Sequence, residues 1–263
     1  MDLGYATLSH FVSDFGPEEN GVWTMAWWNG DLCLVYIKTS ATPNNKVEVH
    51  IASGASGYKS RVFEGESDFT CENNGVWAVS RSDTGDPPDL IYIKTGATPN
   101  NMVEVHIASG SSRYKSRSLE VASTFNVEND GVWAIPPEGS DLGFIKTANT
   151  GTNTVELHVA SRASNYQVRT FEQGTGFDLA KQGIWSWMYN GYGFPIVNLI
   201  KPVGTDSGSV EVYGSIGTGP TLTGCRTPFG AEDNGYWMLF DTALVYIKTR
   251  NTASGMVEVH TAA

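Results

Sequence analysis

The stretch Tyr36–Arg61, YIKTSATPNNKVEVHIASGASGYKSR, decides the fold because the chain writes it again. Tyr92–Arg117 reads YIKTGATPNNMVEVHIASGSSRYKSR and differs only at Ser40/Gly96, Lys46/Met102, Ala55/Ser111 and Gly57/Arg113. Looser copies follow: FIKTANTGTNTVELHVASRASNYQVR from Phe144, a fainter one around Ile200–Tyr213, and YIKTRNTASGMVEVHTA from Tyr246. Working outward, each copy trails a landmark tryptophan. Trp23, Trp77, Trp133, Trp185 and Trp237 step by 54, 56, 52 and 52 residues, and a phenylalanine stands eight residues before each: Phe15, Phe69, Phe125, Phe177 and Phe229. A period of this length marks a repeat architecture whose units bury their faces on one another. Five units are expected, at 21–74, 75–130, 131–182 and 183–234, with 235–263 completed by 5–16.

Inside a unit the apolar period is two. Val47-Glu-Val-His-Ile51 and Val35-Tyr-Ile-Lys-Thr39 alternate as half-buried strands do, and Pro/Asn/Gly-rich links join them. In the first unit the strands are expected at Val22-Trp23, Leu34–Thr39, Val47–Ala52 and near Tyr58–Glu64. Gly and β-branched residues interrupt every helical candidate. Four strands per unit of this length is the signature of a propeller blade. The last unit stops after its third strand, while the segment from Ala6 to Phe15 matches an outer strand. We therefore expect a single all-β domain, a five-bladed β-propeller with four antiparallel strands per blade. The N-terminal strand would close the last blade and remove two open edges; an open solenoid of the same units is the rival arrangement.

Composition narrows the function. Of 263 residues, 17 are basic and 28 acidic, a net charge of −11. A surface of that sign repels phosphate backbones and anionic headgroups, so neither nucleic acid nor membrane insertion is expected. No apolar run is long enough to span a bilayer. Met1–Phe15 lacks a basic start followed by an apolar stretch, and Cys33, Cys71 and Cys225 cannot all pair within one chain. These features point to a chain that is cytoplasmic or released without a signal peptide. A homo-oligomer is compatible with them.

Recurrence within the chain sorts architecture from candidate sites. Lys38–Glu48, Lys94–Glu104, Lys146–Glu156, Lys201–Glu211 and Lys248–Glu258 recur in all five units and read as cross-strand ion pairs. The five tryptophans read either as filling between blades or as flat platforms for a ring. His50, His106, His158 and His260 share one strand position, where the fourth unit has Tyr213. Tyr58, Tyr114 and Tyr166, with Arg61, Arg117 and Arg169, occur only in the first three units; Thr7 and Thr221 stand at the Arg position elsewhere. A requirement of the fold would apply to every blade, so this His/Tyr/Arg set is the better site candidate, against polar filling with Arg stacked on Tyr. The turns before the tryptophans, Glu72-Asn-Asn-Gly75, Glu128-Asn-Asp-Gly131, Glu232-Asp-Asn-Gly235 and Glu19-Asn-Gly21, read equally as ordinary turn chemistry or as sugar-bonding groups; the fourth has Lys181-Gln-Gly183.

Enzyme chemistry finds little support. There is no G-x-S-x-G, no H-E-x-x-H and no G-x-x-x-x-G-K-[ST], and four equivalent histidines in separate blades are too dispersed for one metal centre. A catalytic constellation is normally unique, whereas this chain distributes its polar groups in copies. No enzyme is expected.

The run Trp77 … Asp83-Thr-Gly-Asp86-Pro-Pro-Asp89-Leu-Ile-Tyr-Ile resembles a worn FG-GAP/VCBS-type repeat, a tryptophan followed by D-x-D-G-D-G-x-x-D-L and a strand. Fungal-type propeller lectins related to the Psathyrella velutina lectin are built from similar repeats, and tachylectin-2-like lectins have five blades. The resemblance implies a multivalent lectin that binds N-acetylated or related glycans between neighbouring blades, with a role in defence. In the family the acidic loop can hold Ca²⁺, but here only the second unit keeps three acids, Asp83, Asp86 and Asp89, so a plain turn and no cofactor are expected, with one weak Ca²⁺ site there as the alternative. Sugar sites are expected in three to five junctions, the fourth unit being the first to lose its own. The rival classes are a protein-interaction scaffold, with an asymmetric apolar patch on one rim, and a propeller hydrolase with acids clustered at the central channel.

Overall fold

A computed structural model describes residues 5, 8–137, 139–216, 224–240 and 243–263. Thr7, Thr221 and the first residues of the expected closing segment lie outside them. Strand β1 (Leu8–Val12) precedes four complete sheets. The first holds β2 (Gly21–Trp28), β3 (Asp31–Lys38), β4 (Lys46–Ala52) and β5 (Arg61–Thr70). The second holds β6 (Gly75–Val79), β7 (Leu90–Lys94), β8 (Met102–Ala108) and β9 (Arg117–Asn126). The third holds β10 (Gly131–Ala134), β11 (Leu142–Lys146), β12 (Thr154–Ala160) and β13 (Arg169–Asp178), and the fourth β14 (Ile184–Tyr189), β15 (Pro195–Lys201), β16 (Ser209–Ile216) and β17 (Cys225–Gly230). The fifth is β18 (Gly235–Phe240), β19 (Ala243–Lys248) and β20 (Glu258–Ala262), closed by β1 on the outside of β20. Every strand pairing within a blade is antiparallel. The innermost strands touch in the cycle β2, β6, β10, β14, β18 and back to β2. The chain is a five-bladed β-propeller, and among the described residues it has no α-helix and hence none long and apolar enough to cross a membrane.

The ring is held by five apolar clusters, each made from the Ile/Val face of one blade and the aromatic face of the next. Val35, Ile37, Val49 and Ile51 of the first blade pack on Trp77, Val79 and Tyr92 of the second, and the same pairing recurs around the ring. Both faces of the inner strands are thus covered, which is why β3, β7, β11 and β19 read as nearly unbroken apolar runs.

Two local readings change. The outer strand of the first blade runs Arg61–Thr70, later than Tyr58–Glu64, because Tyr58 sits in the preceding turn at φ +63°. The cross-strand register Lys38↔Glu48, Lys94↔Glu104, Lys146↔Glu156, Lys201↔Glu211 and Lys248↔Glu258 is as expected. Four of the five ammonium groups nevertheless reach for the turn carboxylates instead: Lys38 to Glu18 and Lys94 to Glu72 at 3.0 Å, Lys146 to Glu128 at 2.5 Å, and Lys248 to Glu232. The same turns are structural in their backbone. The carbonyls of Asn20, Asn74, Asp130 and Asn234 accept from the amides of Thr39, Thr95, Thr147 and Thr249, which puts both loops on one rim. A Cβ on Gly75 would lie 2.2 Å from the Ile93 carbonyl oxygen, so the turn closes only over glycine.

Burial alone would raise the Glu232 carboxyl, but the Lys248 ammonium and the Asn234 amide outweigh it and hold it below the ordinary carboxylate range. A carboxyl depressed in the folded state contributes stability present above its unfolded value, and that stability is lost as pH falls through the lower folded value. Lys248→Gln should therefore move acid unfolding, followed by tryptophan fluorescence, to higher pH. At neutral pH the loss should be only about 0.5–1 kcal/mol, because solvent screens a carboxylate that is 31% exposed. An unchanged acid midpoint would remove the ammonium as the cause.

Candidate functional site

A row of side chains crosses each of the first three blades on the aromatic face. Register places Trp23 opposite Tyr36, Tyr36 opposite His50, and His50 opposite Glu64. The second blade repeats this as Trp77, Tyr92, His106 and Glu120, and the third as Trp133, Phe144, His158 and Glu172. The indoles stack on the neighbouring ring at 4.2–4.3 Å, and the phenylalanine of the preceding blade meets each edge-on at 5.3–5.4 Å.

This geometry assigns the candidate residues different places. Trp23, Trp77, Trp133, Trp185 and Trp237 are 1–8% exposed. The indole N–H of Trp23, Trp133 and Trp237 donates to the carbonyls of Glu18, Glu128 and Glu232. Tyr58, Tyr114 and Tyr166 are also buried. Their carbonyls accept from the amides of Asp14, Asp68 and Thr124 on the preceding blade, and the hydroxyls of Tyr114 and Tyr166 donate to Pro88 and Ser140 carbonyls at 2.8 and 3.0 Å. These aromatic groups tie blades together.

Histidine and arginine come together further out. Each histidine lies between two carboxylates: His50 is 3.5 Å from both Glu48 and Glu64, His106 is 3.2 Å from Glu104 and 3.6 Å from Glu120, and His158 is 3.2 Å from Glu156 and 3.3 Å from Glu172. The outer carboxylate then pairs with arginine, Arg61–Glu64 at 3.8 Å, Arg117–Glu120 at 2.6 Å and Arg169–Glu172 at 3.2 Å. Each guanidinium lies over the phenylalanine of the preceding blade, at 4.6 Å for Phe15, 4.9 Å for Phe69 and 4.8 Å for Phe125, rather than over tyrosine. The Arg117 guanidinium and the His106 imidazole together hold the Glu120 carboxyl below its ordinary range. The result is a polar belt of carboxylate, imidazole, carboxylate and guanidinium at three junctions. Sequence reasoning passed over Glu64, Glu120 and Glu172, whose signal was a glutamate three residues after each arginine.

The fourth blade departs from the row and opens the junction. Leu199 and Tyr213 stand where the others have an aromatic ring and histidine. With Gly176, Phe177, Asp178 and Lys181 of the segment before it, they line a cavity of about 200 Å³. At the other end of the same junction lies a cleft of about 610 Å³. Asp141, Thr170, Phe171 and Gln173 of the third blade form one wall, and Tyr189, Gly193, Phe194 and Pro195 of the fourth form the other. The Tyr189 hydroxyl donates to the Asp141 carboxylate at 2.7 Å. The Asn190 side-chain oxygen accepts from the amides of Tyr192 and Phe194 at 2.9 Å, which holds a tight turn with Tyr192 89% and Phe194 60% exposed. The unit ranked first to lose its site by sequence is the one with open space beside it.

The worn acidic loop serves a turn. Asp83 accepts from the Arg81 guanidinium at 2.9 Å, while Asp89 accepts from the Gly110 amide at 2.8 Å. Asp31 and Asp141 take the same part, accepting from the Ala55 and Arg162 amides at 2.9 and 2.7 Å. Asp83, Asp86 and Asp89 do not converge on one point among the described residues. Among the described residues no disulfide joins the cysteines, and burial pushes the Cys33 thiol up to about 12.

In comparisons with known proteins, no protein-family model matches the chain and no curated protein matches it in sequence.

Proposed function

We propose that the protein is a carbohydrate-binding lectin, with its principal site in the cleft between the third and fourth blades. The polar belts of the first three junctions act as weaker, repeated sites. The observation that carries the reading is the lining of the 610 Å³ cleft, which combines the aromatic residues Phe171, Tyr189 and Phe194 with the hydrogen-bonding residues Asp141, Thr170 and Gln173. A pyranose has the complementary pattern, an apolar C–H face bordered by hydroxyls, and the cleft volume is in the range of small-ligand sites. Repeating a weak site around a ring raises avidity for clustered glycans when several engage at once. The fungal-type lectin resemblance points the same way, and its N-acetylated ligands are the first to test.

A glycan array followed by calorimetry is the test. Phe194→Ala with Gln173→Ala should weaken the best ligand by at least about tenfold, or 1.4 kcal/mol, at unchanged melting temperature. His50→Ala, His106→Ala and His158→Ala combined should lower avidity on multivalent glycans but spare the monovalent ligand. An array without any retained glycan would end the lectin reading. A second reading, a protein-interaction scaffold, is favoured by the exposure of Tyr192 and Phe194 beside one another. It predicts that these two residues bind a protein partner while no sugar competes.

A further inference from the structure

We propose that the fifth blade binds one divalent transition-metal ion through His10, Glu258 and His260, and that this ion clasps the ring shut. In the first three blades the outer strand sets a glutamate opposite the row's histidine. In the fifth blade the outer strand is β1, and the residue opposite His260 is His10. A glutamate/histidine/glutamate set is thereby replaced by histidine/histidine/glutamate, the imidazole-rich donor set that suits Zn²⁺, Co²⁺ or Ni²⁺.

The distances fit such an ion. His10 Nε2 lies 3.6 Å and His260 Nε2 3.4 Å from the same oxygen, Glu258 Oε2, and all three donor atoms fall within 4.8 Å of one another. Donors bound at about 2.0–2.1 Å to a tetrahedral centre stand about 3.3–3.4 Å apart, so both nitrogen–oxygen separations are close to the bound geometry. The imidazoles lie nearly parallel, centroids 4.5 Å apart, and the exposed His10 ring is free to swing its nitrogen inward. His260 Nε2 is buried and makes no hydrogen bond, although Glu258 Oε2 is beside it. An ion between them would be the missing partner. The carboxylate is already oriented: Glu258 Oε1 accepts from the Ser254 hydroxyl at 2.9 Å, which leaves Oε2 for the metal. The nearby Lys248 ammonium is taken up by Glu232, so the local positive charge is balanced. A fourth position remains for water or another small donor.

The consequence follows from where the donors sit. His10 belongs to the N-terminal strand, Glu258 and His260 to the C-terminal one, so the ion joins the two ends of the chain across the seam of the propeller. Metal bound only by the closed ring stabilises it by mass action. The sequence reading weighed only the four equivalent histidines, and His10 lies outside that pattern.

Zn²⁺ titration by calorimetry, thermal unfolding with Zn²⁺ or EDTA, and the visible spectrum with Co²⁺ test the proposal on the full chain. We expect one ion per chain and a melting temperature that rises with Zn²⁺ and returns with EDTA. The Co²⁺ spectrum should be tetrahedral, without a thiolate band from Cys71 or Cys225. His10→Gln and His10→Glu, at a site on the exposed closing strand, should keep the metal-free melting temperature and weaken Zn²⁺ by at least about tenfold. His50→Ala should leave Zn²⁺ affinity unchanged. Absence of binding, equal affinity in His10→Gln, or loss of binding in His50→Ala would each overturn the assignment.

Discussion

Trp23→Ala should remove about 3–5 kcal/mol of folding stability, a large part of the 5–15 kcal/mol typical of a folded domain. The indole is 1% exposed, stacks on Tyr36 at 4.3 Å with 19° between planes, and meets Phe15 edge-on at 5.4 Å. Its N–H donates to the Glu18 carbonyl at 3.1 Å, in the turn whose carboxylate holds Lys38. Truncation would leave a cavity that these rigid rings cannot collapse into, and would take away the Glu18 carbonyl's partner. Because Phe15 follows the closing strand, the damage should extend to the seam. Urea unfolding measures the loss. The outcome also separates two roles for this tryptophan: a variant with parental stability and no glycan binding would make the indole a sugar platform instead of a packing element.

Gly143→Val should cost about 1–3 kcal/mol or more through overpacking, and most of that should return when Trp187→Leu is added. A Cβ at Gly143 would lie 2.2 Å from Trp187 Nε1 and 2.4 Å from its Cε2. Trp187 is 1% exposed and its indole N–H donates to the Ala134 carbonyl at 3.1 Å, so it has nowhere to move. The other units explain the pair. Two residues after the landmark tryptophan they carry Met25, Val79, Ile135 and Leu239, and at the position of Gly143 they carry Val35, Ile91, Asn198 and Val245. One junction has thus exchanged two medium side chains for a large one and none. Trp187→Leu alone should destabilise by cavity formation, and the double variant should be more stable than the sum of the singles. Additive single effects in urea unfolding would show that the two positions are independent.

Much of this was legible in the sequence. Strand alternation in Val47-Glu-Val-His-Ile51 is a local signal of period two, and the register of lysine on glutamate and of Tyr36 on His50 follows from it. The place of the closing strand was likewise visible as the piece missing from the last unit. The candidate site was only half legible. His50 and Arg61 do meet, through Glu64, but Tyr58 is buried in a turn that joins neighbouring blades. A side chain shared by three units marks a common environment and does not say whether that environment is open.

What the sequence determined by itself is the ring of near-copies, the strand order within each and the residues that face one another across a hairpin, because these depend on neighbours close in the chain. Only the tertiary structure decided what happens between blades: that the tryptophans are covered, that the lysines turn to Glu18, Glu72, Glu128 and Glu232, that space opens beside Phe194, and that His10 faces His260. The lysine contacts span 16–22 residues and the others join neighbouring blades or the two ends of the chain, so all depend on how one face or turn fits the next, and no pattern within a single strand carries that information.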